Sequence, residues 1–286
     1  MKKLITIILL AASLPVAALS GGTGEKDGLR IVSAGNGITE IIYALGAGDQ
    51  VVAVDSTSVY PADVHKLPKL GYHKQMSAEG ILALRPSILI GSDDMGPPAT
   101  ITQLESAGLE VAALPLQNSA DNIQHRIETL AGLLNREQEG KQLWQSIAQN
   151  LEEAQNIASD QKKPRVLFLL AMGGRTPSVS GRDTSANTLI ELAGGINPAA
   201  DQFTSYKPLS NEAFLVMAPD IIIYSDHGKG TTPEQLIDLQ PVLKQTPAVK
   251  KGRLIAIDPG MLLGGLGPRT GDLALELAKE FFPSET

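Results

Sequence analysis

The chain has 286 residues, of which 43% are hydrophobic and 19% are charged, so it can bury one or two globular cores and is not disordered by composition. Its formal net charge of −7 argues against nucleic-acid binding driven by phosphate contacts. The chain contains no cysteine, and we therefore expect neither disulfides nor a lipid anchor attached through that residue.

The first 20 residues have the pattern of a secretory signal peptide. Lys2 and Lys3 precede an apolar run over residues 4–12, and the small residues that follow suit cleavage near residues 18–20. The run is too short to span a bilayer, and no later stretch is apolar for long enough. The sequence therefore predicts export to a bacterial periplasm without membrane insertion.

Strand and helix patterns alternate through residues 28–135, which we interpret as a first lobe. RIVSA, QVVAVD, SILIGS and LEVAALPL predict strands, and GITEIIYALGAG, SAEGILALRP and ATITQLESAG predict helices. The same alternation returns in residues 161–286, with strands at RVLFLLA, DIIIYS and RLIAID. Such alternation indicates two α/β lobes with central parallel-type sheets covered by helices.

The two lobes also repeat each other in sequence. SAEGILALRPSILIGS begins at residue 77 and SNEAFLVMAPDIIIYS at residue 210, an offset of 133 (210 − 77). Both segments read Ser-x-Glu, then an apolar helix, then Pro, then a strand ending in Ser. A weaker match joins TEIIYALGAG at residue 39 to NTLIELAGG at residue 187, an offset of 148 (187 − 39).

Residues 119–160, between the lobes, are almost entirely helical in pattern, and Asn135 is expected to break this stretch because Asn tolerates a left-handed cap. Beyond the break, apolar residues three or four apart form one helical stripe: Leu143, Ile147, Leu151, Ala154 and Ile157. The sequence therefore predicts that residues 136–160 form one long helix, roughly 35 Å in length, that joins the lobes and leaves a ligand cleft between them.

This architecture resembles the periplasmic substrate-binding proteins of the helical-linker class, which serve ABC importers of cobalamin, ferric siderophores, haem and some metal ions. Three segments resemble the haem-binding branch: LGYHKQMSAEGILALRPSILIGS, SGRDTSANTLIELAGGINPA and GLGPRTGDLALELA. The resemblance covers the chain after the signal peptide. It implies a monomeric, non-catalytic protein that binds ferric haem in the cleft and delivers it to an ABC permease dimer.

The resemblance implies that Tyr72 is the axial ligand of the haem iron, with a polar surface turn as the alternative for this loop. Ferric iron is a hard cation, and a phenolate is a hard anionic donor. A nearby cation favours the phenolate, and Lys74 is placed to supply it, where family members often have arginine. His73 is a rival ligand, but adjacent side chains of an extended segment point to opposite sides, so we expect His73 at the rim or exposed.

Five second-lobe residues are further candidates for the haem pocket. Met172 stands where some relatives use a histidine to hold a second haem, so the resemblance implies one haem, with Met172 as an apolar contact or a core residue. Tyr206 is expected to face the cleft or to be a surface aromatic, and His227 to line the cleft or to lie in water. Arg269, and after it Arg182, are candidates to bind the haem propionates, with surface arginines as the alternative.

Glu79 and Glu212 are related by the repeat, one on each lobe. Each follows a Ser that can cap its helix, and a first-turn acid also complements the helix dipole, which is the structural alternative. In the family this pair of glutamates docks into arginines of the two permease subunits. We therefore expect Glu79 and Glu212 to contact the permease.

Two alternative functions stay open at this point. A ferric-siderophore or cobalamin carrier belongs to the same class, although one Trp and five Phe provide few aromatics for such a cleft. An exported α/β enzyme is the alternative from a different class. Against it, the chain has no cysteine nucleophile, no Gly-x-Ser-x-Gly elbow, no phosphate loop and no His-Glu-x-x-His motif.

Overall fold

The computed structural model describes residues 28–171, 175–226 and 231–283. The predicted signal peptide and two candidate pocket residues, Met172 and His227, lie outside the described residues. Within the described part of the chain, no helix is both long enough and apolar enough to cross a membrane.

The first lobe is a four-stranded sheet with helices around it. Its elements are β1 (Ile31–Ala34), α1 (Asn36–Ala44), β2 (Val51–Val54), α2 (Ala78–Leu82), β3 (Ile88–Ser92), α3 (Pro98–Ser106) and β4 (Glu110–Leu114). The strands lie in the order β2-β1-β3-β4 and all three pairings are parallel. Every residue of β1 and β3 is buried, as expected of strands covered on both faces.

Two long helices follow the first lobe. Helix α4 (Ala120–Leu134) ends at Asn135, which has φ 55° and ψ 49°, so the predicted left-handed cap is confirmed. Helix α5 (Glu137–Ala158) then runs for 22 residues. Its buried side chains include Ile147, Leu151 and Ala154, which belong to the predicted stripe.

The second lobe has a five-stranded sheet in the order β7-β6-β5-β8-β9. Its elements are β5 (Val166–Ala171), β6 (Ser178–Ser180), α6 (Ser185–Leu192), β7 (Tyr206–Pro208), α7 (Asn211–Met217), β8 (Ile221–Asp226), α8 (Pro233–Leu239), α9 (Pro247–Lys250), β9 (Leu254–Ala256) and α10 (Thr270–Phe281).

This second sheet is mixed rather than fully parallel. Strands β5, β8 and β9 pair in parallel, whereas β6 and β7 are antiparallel to their neighbours. For β6 the physical reason is chain length, because a parallel return from β5 requires a crossover of about a dozen residues. Only residues 172–177 separate β5 from β6, so the chain comes back in the opposite direction.

The sequence repeat corresponds to a structural repeat. Helices α2 and α7 start at residues 78 and 211, and strands β3 and β8 start at residues 88 and 221, so both pairs are 133 residues apart (211 − 78 and 221 − 88). The weaker match ends on equivalent turn glycines, Gly46 with φ 75° and Gly194 with φ 84°, which are 148 residues apart (194 − 46). The predicted architecture of two similar α/β lobes joined by a helix is confirmed.

One hydrophobic core continues from the first lobe into the second. The same cluster of buried side chains contains Ile42 of α1, Ile147 and Leu151 of α5, Phe168 of β5 and Leu277 of α10. Helix α5 is therefore part of the interior of both lobes rather than a free connector. Smaller apolar clusters cover the opposite faces of the two sheets.

The close contact between α4 and α5 allows a matched test of this packing. A Cβ atom at Gly140 of α5 would lie 2.6 Å from the Cβ of Ala131 of α4, whereas a Cβ at Gly132 of α4 would meet open space. We expect Gly132→Ala to raise the free energy of unfolding by about 0.5–1 kcal/mol through helix propensity. Gly140→Ala should lower it by about 1 kcal/mol, because overpacking outweighs the same gain. Urea unfolding measures both, and equal stabilisation by the two variants would contradict tight α4–α5 packing.

Candidate ligand-binding site

Tyr72 lies in a loop that is fixed to the carboxyl end of β2. The Ser56 amide donates to the Gly71 carbonyl at 2.7 Å, and the Leu70 amide donates to the Val54 carbonyl at 3.0 Å. Gly71 has φ 81°, a left-handed conformation that favours glycine, and it turns the chain immediately before Tyr72. The Tyr72 side chain is 43% exposed, so its phenol is accessible while its backbone is held.

His73 is buried, which corrects the expectation that it lies at the rim or exposed. Its relative exposure is 4%, and the chain enters a short 3₁₀ turn at His73–Gln75. The Nδ1 atom lies 3.4 Å from Asp55 Oδ2, and the Nε2 atom lies 3.6 Å from Asp94 Oδ1. The expectation that Tyr72 and His73 point to opposite sides is also wrong, because their ring centroids are only 4.4 Å apart. The imidazole extends into the protein interior, where a carboxylate lies near each ring nitrogen.

Asp55 organises the interior side of this loop. It accepts hydrogen bonds from the Gly35 amide at 2.9 Å, from the Thr57 amide at 3.0 Å and from the Ser58 hydroxyl at 2.6 Å. Burial raises the pKa of Asp55, but hydrogen bonds, first from His73 and then from Ser58, Thr57 and Gly35, outweigh it and hold the pKa at about 2. Asp55 is therefore an anion in the fold.

The same anions set the charge of His73. Burial lowers the pKa of His73, but hydrogen bonding and attraction to Asp55 and Asp94 outweigh it and raise the pKa to about 9. Sequence reasoning missed both aspartates. The available signal was their position at the ends of two predicted strands, since Asp55 is the last residue of QVVAVD and Asp94 is the second residue after SILIGS. The carboxyl ends of parallel strands meet at one edge of a sheet.

Lys74 is paired with Asp94 rather than free. Its Nζ atom lies 2.6 Å from Asp94 Oδ2. The hydrogen bond to Asp94, opposed by burial, raises the pKa of Lys74, and attraction to Tyr72 adds to this. His73 and Lys74 together hold the pKa of Asp94 well below its usual range despite burial. Lys74 is thus close enough to act electrostatically on the Tyr72 phenol, but its ion pair with Asp94 partly neutralises its positive charge.

Arg269 is not free to bind a propionate, contrary to the sequence-based prediction. Its Nε atom donates to Glu40 Oε2 at 2.9 Å, its Nη2 atom donates to Glu40 Oε1, and its guanidinium stacks 4.1 Å from the ring centroid of Tyr60. Glu40 is 4% exposed and belongs to α1 of the first lobe. The arginine at the start of α10 therefore compensates a buried carboxylate of the opposite lobe.

Arg126 forms a second tie across the lobes. This α4 side chain is 1% exposed, and its Nη2 atom donates to the Leu266 carbonyl at 2.7 Å. Burial lowers the pKa of Arg126 to about 10, so the guanidinium stays charged near neutral pH. Arg126 and Arg269 both fix the chain segment that precedes α10 against the first lobe.

Arg182 lies at an open cavity of about 720 Å³ between the lobes. The first lobe lines this cavity with Asp93 and residues 116–119, and the second lobe lines it with Arg182 and residues of α6. Arg182 has a 3.3 Å hydrogen bond to the Ala200 carbonyl and a loose 3.9 Å contact to Asp183. The Arg182 guanidinium is therefore more available to a ligand than that of Arg269. From the sequence alone, Arg269 ranks ahead of Arg182 as a candidate to bind a propionate.

Tyr206 is a packing residue of the second lobe. Its ring lies 6.3 Å from that of Phe168 at an angle of 70°. Burial raises the pKa of Tyr206 to about 12, although hydrogen bonds with Thr184 and Ala186 oppose the shift. Tyr206 is half-buried and packs against the core, so the alternative of a surface aromatic is wrong, whereas the expectation that it faces the cleft stays a prediction.

Glu79 and Glu212 occupy equivalent exposed positions in the first turns of α2 and α7. Ser77 accepts from the Gly80 amide at 3.4 Å, and Ser210 accepts from the Ala213 amide at 3.2 Å, so each helix has the predicted serine cap. One turn beyond each glutamate stands an exposed leucine, Leu82 and Leu215, again 133 residues apart (215 − 82). The two lobes therefore present the same small acidic and apolar patch.

Comparison with known proteins agrees with this architecture. The periplasmic binding protein family matches residues 31–260. The chain belongs to that family. Its two lobes joined by a helix are the fold of the helical-linker substrate-binding proteins of ABC importers.

Two solved structures are similar over nearly the whole length of both chains. The periplasmic haem-binding protein HutB of Vibrio cholerae is 39% identical, with a TM-score of 0.81 over 89% of this chain and 99% of that one. A periplasmic haem-binding protein from Pseudomonas aeruginosa is 35% identical, with a TM-score of 0.83 over 90% of this chain and 94% of that one.

Two curated relatives are also similar. An uncharacterised ABC transporter substrate-binding lipoprotein of Bacillus subtilis, YvrC, is 30% identical over 91% of this chain and 82% of its own length. A vitamin B12-binding protein of Vibrio cholerae is 28% identical over 69% of this chain and 71% of its own length. The relatives are transport proteins, but their names do not agree on the ligand.

The charge cluster around His73 predicts a pH dependence of stability. Because folding raises the pKa of His73 from 6.5 to about 9, its stabilising contribution is complete below pH 6.5 and is lost as the pH rises through 9. We expect the free energy of unfolding to fall by on the order of 2 kcal/mol across this window. In His73→Asn the decrease should be absent. Denaturant unfolding at pH 6, 7, 8 and 9 measures both proteins, and parallel profiles would contradict the ion-pair geometry.

Proposed function

We propose that this protein binds ferric haem between its lobes in the bacterial periplasm and delivers it to an ABC permease. The observation that carries the proposal is the exposed phenol of Tyr72, presented by a loop whose backbone is fixed at the carboxyl edge of the first sheet. Ligands of α/β folds bind at this edge. A phenolate suits ferric iron because both are hard in the Lewis sense.

Two cations support the proposal. Lys74 lies within electrostatic range of Tyr72, so its positive charge would complement an iron-bound phenolate. Arg182, with most of its donors available at the interlobe cavity, is the candidate partner for a haem propionate, to which a guanidinium can donate twice. Arg269 is not assigned this role, because its guanidinium donates to the Glu40 carboxylate through Nε and Nη2.

A cobalamin carrier is the second candidate function, because a vitamin B12-binding protein is among the relatives. The haem-binding structures are more similar, at 39% and 35% identity over about nine-tenths of the chain. An exposed tyrosine beside a lysine has a direct use with ferric haem and none that the geometry defines with cobalamin. We therefore place haem first.

Titration with ferric haem tests the proposal. The protein should bind one haem and develop the high-spin charge-transfer bands of a tyrosinate–iron bond. Tyr72→Phe removes only the hydroxyl, and we expect it to abolish these bands and to weaken binding roughly 100-fold, a loss of about 3 kcal/mol. Tyr60→Phe is the matched control, since Tyr60 is also exposed in the first lobe, at 46%.

Each alternative gives a different result in that titration. Saturable binding of cyanocobalamin without a specific response to haem would favour the second candidate. A full haem response in Tyr72→Phe would keep haem as the ligand but would reject Tyr72 as its axial ligand.

We further propose that Glu79 and Glu212 contact the two permease subunits. The support is symmetry, because both acids are exposed at equivalent positions of α2 and α7 and each has an exposed leucine one turn away. In a partner made of two equal subunits, each subunit would contact one glutamate and the exposed leucine beside it. The carboxylates would pair with basic side chains, and Leu82 and Leu215 would supply the apolar contact.

Charge reversal tests this contact separately from haem binding. We expect Glu79→Lys or Glu212→Lys to reduce haem uptake several-fold in cells that depend on this protein and its transporter, and the double variant to abolish it. Haem affinity of the purified variants should stay unchanged. Glu105→Lys, at an exposed position of α3, is the control. Normal uptake by the double variant would reject the docking role.

A further inference from the structure

His73 is held more firmly than a histidine in a surface loop needs to be. Its two ring nitrogens face two carboxylates from different parts of the sheet edge, Asp55 after β2 and Asp94 after β3. Its backbone carbonyl accepts from the Gly96 amide at 2.9 Å, and the Gly96 carbonyl accepts from the Met76 amide at 2.9 Å. With a carboxylate oxygen 3.4 or 3.6 Å from each ring nitrogen and the backbone hydrogen-bonded, the buried imidazole has little freedom to turn.

The buried imidazole lies directly against the side chain of Tyr72. The two ring centroids are 4.4 Å apart, and the ring planes meet at 63°, an edge-to-face arrangement. Tyr72 itself is 43% exposed, so much of its ring surface is free of protein contact. Contact with the imidazole therefore restricts the rotamers available to the exposed phenol of Tyr72.

A purely structural role explains only part of this arrangement. A hydrogen-bonding core residue could satisfy Asp55 without touching Tyr72, and Asp94 already has the ammonium of Lys74 at 2.6 Å. The imidazole is placed so that one ring lies within ion-pair distance of both acids and contacts the phenol at the same time. Holding a donor group before its ligand arrives reduces the conformational entropy lost on binding.

We propose that His73, clamped between Asp55 and Asp94, is a positioning residue that fixes the Tyr72 phenol in the orientation required to bind the haem iron. This inference rests on the proposed function, in which Tyr72 is the iron ligand. His73 does not contact the iron itself in this proposal. It acts on the geometry of the tyrosinate–iron bond and on the rate at which that bond is lost.

The test compares His73→Asn with three other proteins: the wild type, Tyr72→Phe, and His65→Asn as a matched control at an exposed histidine of the same lobe. Each is loaded with ferric haem. The energy of the tyrosinate-to-iron charge-transfer band and the rate of haem transfer to excess apomyoglobin are measured. His73→Gln is measured in parallel, so that a folded variant is available if the asparagine variant does not fold.

We expect His73→Asn to keep the charge-transfer band, because Tyr72 still binds the iron, but with a shifted energy and with haem loss roughly tenfold faster, equivalent to about 1.4 kcal/mol. His65→Asn should match the wild type. A role in folding alone would lower the unfolding temperature without changing the band or the transfer rate of the folded haem complex.

Three results would overturn the inference, and they are distinguishable from one another. Wild-type band energy and transfer rate in folded His73→Asn or His73→Gln would reject the positioning role while leaving Tyr72 as the ligand. Loss of haem binding in the His73 variants, with full haem binding in Tyr72→Phe, would make His73 the ligand. A wild-type protein without the band would reject the haem assignment and this inference with it.

Discussion

The hydrophobic core that passes through α5 is the constraint on which the rest of the molecule depends. Because Ile147 and Leu151 of the connecting helix pack into the same cluster as side chains of both lobes, a large rotation of one lobe would expose apolar surface. Arg126 and Arg269 reinforce this, since each joins a group of the first lobe to the segment before α10. The cleft therefore has much of its shape before a ligand enters.

In a cleft whose shape is largely fixed, the positions of the side chains, rather than movement of the lobes, must provide the contacts to a ligand. The loop at 68–76 meets this demand through backbone pairing with the end of β2 and through the carboxylates that follow β2 and β3. Neither aspartate needs to touch a ligand to matter, because each determines where His73 and Lys74 lie. The charges next to Tyr72 are consequently set by the sheet edge and not by the loop alone.

The features that depend on local pattern were predictable from the sequence. The repeat at an offset of 133, the long helix and the cap at Asn135 each leave a signal within a few neighbouring residues. The antiparallel strands β6 and β7 were not predicted, because three-residue strands carry too little alternation to detect. The exposed loop at Tyr72 was anticipated, but the burial of His73 depends on Asp55 and Asp94, which lie about twenty residues away on either side.

Arg182 and Arg269 show why residue type and motif do not decide between ligand binding and structural pairing. Both are arginines close to the start of a helix, and each could in principle grip a carboxylate. The partner of Arg269 is Glu40, 229 residues earlier in the chain, a contact that no local pattern reveals. If Arg269 turned away to bind a ligand, the buried Glu40 carboxylate would be left unpaired, at a cost of several kcal/mol. An exposed ion pair with a propionate contributes less than this cost. Arg182 faces no buried acid, so its guanidinium stays available at the interlobe cavity. How the lobes neutralise their interior charges therefore decides which arginine is available to a ligand.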